Sequence, residues 1–84
     1  MRPPILIVDD DPDIRESLTD MLGHEGYLVH SAASGTDALQ QAKQTRYDAA
    51  LLDIQLPDLN GLSVLKVLME LDASLPVIIL TGNV

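Results

Sequence analysis

The sequence predicts an α/β domain built on a parallel sheet, and three observations carry that class. Short runs suited to strands recur along the chain: Ile5-Leu6-Ile7-Val8, Tyr27 to Ala32, Ala49-Ala50-Leu51-Leu52 and Val77-Ile78-Ile79-Leu80. Three of them are apolar enough to read as strands buried on both faces. Between the runs lie segments with apolar residues at helical spacing, long enough for the crossovers that parallel strands require. Strand ends also carry polar groups: Asp9-Asp10 follow the first, Asp53 closes the third and Thr81 follows the fourth. In an open parallel sheet the carboxyl ends of the strands form the edge where ligands bind.

Taken in order, Ile5 to Val8 forms a first buried strand. Asp11 then precedes Pro12, an N-cap followed by proline at the first helical position. Ile14, Leu18, Met21 and Leu22 give the first helix one apolar face, and Gly23 or Gly26 terminates it. Tyr27 to Ala32 is a shorter, less apolar strand, as expected at a sheet edge. Ser34-Gly35-Thr36-Asp37 resembles a capping box with Asp in place of the usual Glu. Ala38, Leu39 and Ala42 line the helix that follows, which ends near Thr45-Arg46. Ala49 to Asp53 is the third strand, and Ile54 to Asn60 a loop. A third helix from about Gly61 to Leu71 carries Leu62, Leu65, Leu68 and Met69. It is apolar on more than one side, which fits core packing better than a dimer face. Pro76 opens the fourth strand, expected to be buried.

Composition bounds the function. The 84 residues allow one domain, residues 1–84, and 46% hydrophobic content argues against disorder. Without Phe or Trp, a core must be made of Leu, Ile, Val, Ala and Met. Thirteen acidic against five basic residues give a net charge of −8, which speaks against direct nucleic-acid binding by this domain. The absence of cysteine excludes a disulfide framework and thiol chemistry. No apolar run is long enough to span a membrane, and no signal segment opens the chain, so a cytoplasmic location is expected. Neither a G-x-G-x-x-G nor a G-x-x-x-x-G-K-[ST] pattern follows a strand, which sets aside nucleotide-binding enzymes of those kinds.

The acids carry the chemistry. Asp9, Asp10 and Asp53 brought to one sheet edge repel one another, and a hard dication relieves that repulsion. Magnesium, which takes one or two carboxylates together with water and phosphate oxygens, suits the set. A carboxylate such as Asp53 is also a competent nucleophile toward phosphorus, forming an aspartyl phosphate, with Thr81 placed to donate a hydrogen bond to the transferred group. Each signal alone is also met by turn or cap residues; the combination is specific. His24 and His30 have no metal-ligand spacing to the acids and read as surface and edge-strand residues. Lys43 and Lys66 read as solvated helix surface.

The stretches ILIVDDDPDIR, LLDIQLPDLNG and PVIILTG resemble the three leading motifs of a response-regulator receiver domain, most closely receivers of the transcriptional-activator type. The resemblance covers the whole chain. It implies a flavodoxin-like sheet with strand order 2-1-3-4, an order known for a chemotaxis regulator of this fold. It implies that Asp53 accepts a phosphoryl group from a phosphohistidine on a sensor histidine kinase. It further implies that Mg2+ is held directly by Asp10, by Asp9 largely through water, by Asp53 and by the backbone carbonyl of Gln55. Thr81 would be the switch hydroxyl, Pro57 and Gly61 would shape the loop after the acceptor, and a tethered output domain would read the switch.

A complete receiver continues beyond the fourth strand with a helix, a fifth strand and a last helix, bearing a phosphate-contacting lysine and an aromatic switch residue. The sequence ends at Val84, so it is expected to behave as a C-terminally truncated receiver, impaired in switching. Its fourth strand would be an open apolar edge and one sheet face would be poorly covered, favouring self-association or element exchange with a second copy. A signalling switch without turnover is the leading reading, not an enzyme. Two alternatives stay open: an association module with a vestigial acidic site, and a magnesium-dependent phosphatase with an Asp nucleophile. The phosphatase is disfavoured because haloacid-type members place a second Asp two residues after the nucleophile, where this chain has Gln55.

Overall fold

A computed structural model of the chain describes residues 3–80. Seven elements alternate: β1 (Ile5–Val8), α1 (Pro12–His24), β2 (Val29–Ala32), α2 (Gly35–Gln44), β3 (Ala49–Asp53), α3 (Gly61–Leu71) and β4 (Val77–Leu80). The strands form one parallel sheet in the order β2-β1-β3-β4, as the resemblance implies. Right-handed crossovers then place α1 on one face and α2 with α3 on the other.

The register separates the two faces. Leu6 and Val8 of β1 and Ala50 and Leu52 of β3 pack with Ala38 of α2, Val64 and Leu68 of α3, Ala32 and Tyr47 in the main core. Ile5 and Ile7 alternate to the opposite face, where α1 lies against β1 and β2. A strand buried on both faces must be apolar at every position, which is why Ile5 to Val8 has no polar residue.

Local chemistry sets the helix ends. The Asp11 side chain accepts from the Asp13 N–H and Pro12 occupies the first turn of α1. Gly23 lies inside α1, and Gly26, at φ +91°, makes the turn beyond it. The Ser34 hydroxyl accepts from the Asp37 N–H at the start of α2, and the Asn60 side chain caps α3 through the Leu62 N–H.

Three expectations are corrected. The second strand begins at Val29 rather than Tyr27, although the Leu28 carbonyl still accepts the Ile5 N–H at 2.8 Å. The apolar stripe of α1 contains no buried residue, and Met21 is 61% exposed, because no second helix shares its face of the sheet among the described residues. β4 is not buried: Ile78 is 56% exposed and Ile79 also faces solvent. Ile78 pairs with Leu51 on the same face as Ile7, but beyond the β1 and β2 half of the sheet that α1 packs against. In α3 the buried residues are Gly61, Val64 and Leu68, whereas Leu62 and Met69 are exposed.

Candidate functional site

Asp9 follows β1 directly, and its N–H extends the ladder by one bond to the Ala32 carbonyl at 3.1 Å. The residue is only 3% exposed. Its Oδ1 accepts the Asp11 N–H at 2.9 Å, and Arg15 Nη1 of α1 donates to its backbone carbonyl at 2.7 Å. The first turn of α1 thereby fixes both ends of the residue. Asp53 ends β3, is 7% exposed, and accepts the Gln55 N–H on Oδ1 at 2.9 Å. Asp10 is exposed beside them. Each of the three carboxylates offers an oxygen, and these oxygens lie within 4.8 Å of one another. Residues more than forty positions apart thus meet at one edge, because β1 and β3 are paired in register, Val8 opposite Leu52.

Burial and neighbouring acids set the electrostatics of Asp9. Burial pushes the Asp9 carboxyl above its ordinary value; the Asp11 N–H opposes that shift, and the charges of Asp53, Asp10 and Asp11 add to it. All-oxygen, compact and negatively charged, the donor set fits a hard divalent cation such as magnesium. Asp9→Asn keeps the oxygen that accepts from Asp11 while removing one buried charge. It is expected to raise the thermal midpoint in chelator by a few degrees and to weaken divalent binding, as read by calorimetric titration.

The loop between β3 and α3 is closed at its base. The Gly61 N–H donates to the Ile54 carbonyl at 3.0 Å, and Gln55 and Asn60 form an antiparallel bridge. A Cβ on Gly61 would fall 2.2 Å from the Ile54 Cα, so only glycine permits this closure. Pro57 lies exposed within the loop. Gln55, the residue whose carbonyl the resemblance assigns to the metal, is anchored to Asp53 through its own N–H. Thr81 lies outside the described residues. Lys43 and Lys66 are exposed on α2 and α3, as expected.

Three residues with structural roles escaped the sequence reading. Arg15 is one. Asp58 is the second: both of its oxygens are engaged by the first turn of α2. The Thr36 hydroxyl foremost, then the Thr36 and Gly35 N–H groups, hold its carboxyl down to about 2 from 3.8. A depressed carboxylate favours the folded state above its ordinary pKa, and that contribution fades as pH falls toward the folded value. In acid titrations the stability advantage of the unmodified chain over Asp58→Asn is therefore expected above pH 3.8 and should vanish toward about 2. Tyr47 is the third, buried with its hydroxyl 2.8 Å from His30 Nδ1. Its rings meet His30 edge to face, which gives that edge-strand histidine a structural partner.

Among the described residues, no helix is long and apolar enough to cross a membrane. Residues 5–84 match the response regulator receiver domain family. The chain is 43% identical over 81 residues to the transcriptional regulatory protein PrrA of Mycobacterium leprae, a match covering 96% of this chain and 35% of the relative. It thus spans about a third of the length of the curated relatives it matches. A CheY-like receiver domain protein from Methanospirillum hungatei superposes with a TM-score of 0.96 at 36% identity, over 100% of this chain and 67% of the other. The response regulator TrrA of Thermotoga maritima, solved in complex with Mg2+-BeF, superposes with a TM-score of 0.91 at 37% identity, over 99% and 71%. In sequence, sheet order and acidic edge alike, the chain belongs to the receiver domain family of two-component response regulators.

Proposed function

We propose that this receiver is a magnesium-dependent phosphoacceptor, with Asp53 as the acceptor and a phosphohistidine on a sensor histidine kinase as the donor. The convergence of Asp9, Asp10 and Asp53 within 4.8 Å at the carboxyl edge of the sheet carries the proposal. The solved relative in complex with Mg2+-BeF supports it. Asp9, Asp10, Asp53 and the Gln55 carbonyl would hold the cation, which when bound supplies positive charge to the phosphoryl oxygens.

The remaining chemistry belongs to the chain's own groups. The Gln55 N–H holds Asp53 Oδ1, which fixes the rotation of the carboxylate and presents Oδ2 for attack on phosphorus. The new O–P bond forms as the P–N bond to the donor imidazole breaks, and that imidazole leaves with a proton taken from solvent. Thr81 then serves as the switch hydroxyl, and an output domain in the intact protein reads the change. The domain is a switch without turnover on an external substrate, working in the cytoplasm.

The experiment is incubation with acetyl phosphate, with and without Mg2+, followed by intact mass. One phosphoryl group gained only with Mg2+ is expected. No gain overturns the phosphoacceptor reading and favours an association module. The exposed apolar β4, with Ile78 and Ile79 at its surface, also supports edge-to-edge self-association. Light scattering at micromolar concentration should show more than monomer, and a monodisperse monomer overturns that part.

A further inference from the structure

We propose that Asp58 is a positioning residue for the acidic site: it latches the loop that carries the Gln55 carbonyl onto the first turn of α2. The proposal rests on the reading of that site as a magnesium site.

Oδ1 of Asp58 accepts the Gly35 N–H at 2.8 Å. Oδ2 accepts the Thr36 N–H at 2.9 Å and the Thr36 hydroxyl at 2.6 Å. Gly35 and Thr36 are the first two residues of α2, whose N–H groups have no partner within the helix. The side chain of Ser34, the N-cap, satisfies the Asp37 N–H, and its carbonyl takes the Ala38 N–H. Two side chains from different parts of the chain therefore divide the donors of one helix end, and the one from the β3–α3 loop takes those nearest the tip. An anionic acceptor also meets the positive end of the helix dipole there.

Apolar contact reinforces the latch. A Cβ on Gly35 would fall 2.9 Å from Leu59 Cβ, so the bare backbone of α2 lets the residue after Asp58 come close. At its other end the loop is tied to β3 by the Gln55 N–H on Asp53 and by Gly61 on Ile54. Gln55 stands three positions before Asp58, at the base of the loop. Cutting the outer anchor leaves Gln55 held only by Asp53 and by its bridge to Asn60, with the loop tip released, and cation binding must then order the loop as well. A residue that orients a metal ligand from outside the coordination sphere typically changes affinity by about 10–100-fold. Asp58, reaching the ligand through three residues of backbone, belongs at the low end.

The test compares the unmodified chain with Asp58→Ala, Asp58→Asn and Ser34→Ala. Ser34→Ala removes a cap bond from α2 without touching the loop, and so controls for stability of that helix alone. Mg2+ affinity is read by calorimetric titration, and amide hydrogen exchange of residues 55–60 is read in chelator, where no cation contributes. Asp58→Ala is expected to weaken Mg2+ binding roughly tenfold and to speed exchange across 55–60. Asp58→Asn, which keeps one acceptor oxygen, should fall between. Ser34→Ala should lower the thermal midpoint while leaving both readouts unchanged. If Asp58→Ala does not fold, the same comparison between Asp58→Asn and Ser34→Ala decides. Unchanged affinity and exchange in the Asp58 variants, or equal losses in Ser34→Ala, overturn the latch alone. Failure of the unmodified chain to bind Mg2+ overturns the magnesium site on which it rests.

Discussion

Asp53→Asn is expected to remove phosphoryl acceptance entirely while leaving the fold in place. The amide is not a nucleophile toward phosphorus at neutral pH, yet its oxygen can still accept the Gln55 N–H that the native Oδ1 receives. The substitution also removes one of three clustered charges, so it should not destabilise the metal-free chain. Intact mass after acetyl phosphate and Mg2+ treatment should show the phosphorylated species in the unmodified chain and none in the variant. Circular dichroism of the two should coincide. A variant phosphorylated to the native extent would place the acceptor elsewhere.

Gly61→Ala should produce the largest loss of stability of any alanine substitution at the described glycines. Its Cβ would lie 2.2 Å from Ile54 Cα and 2.7 Å from the Ile54 carbonyl carbon and oxygen. All three obstacles are backbone, so no rotamer change relieves the clash. Relief requires separating Ile54 from the start of α3, breaking the Gly61–Ile54 hydrogen bond and unseating the residue next to Asp53. A cost of about 3 kcal/mol or more is expected from the denaturation midpoint. That is a large share of the roughly 5–15 kcal/mol by which a typical domain is stable. Gly23→Ala supplies the contrast: nothing lies within 4 Å of its added methyl, and it sits in α1. There the change should be neutral or stabilising by about 0.5–1 kcal/mol.

What could be read in the sequence was what depends on neighbours along the chain. The all-apolar run at Ile5 to Val8, the Asp11-Pro12 cap, the Ser34 cap and the acid closing Ala49 to Asp53 each rest on residues within a turn of one another. The acidic site was legible for a further reason. Strands of a parallel sheet all end at the same edge, so Asp9, Asp10 and Asp53 had to be neighbours once β1 and β3 paired. The misses depend on what faces an element across space. The α1 stripe and the residues of β4 have the composition of buried surface, but burial is decided by whether a second layer lies over them. Tyr27 and Leu28 have strand-forming side chains, yet the ladder starts after them. Asp58 was illegible because a Pro-Asp pair in a loop is ordinary turn chemistry. Its role appears only when the start of α2, more than twenty residues earlier, is brought against it.

A divalent cation between β1 and β3 would join the geometry to the proposed chemistry. Crystals grown with Mn2+ in place of Mg2+ and measured at the manganese absorption edge test it most directly. A single anomalous peak bounded by the carboxylates of Asp10 and Asp53 and the Gln55 carbonyl, with Asp9 behind it, is the expected result. A peak elsewhere on the molecule, or none with the cluster correctly assembled, would contradict it.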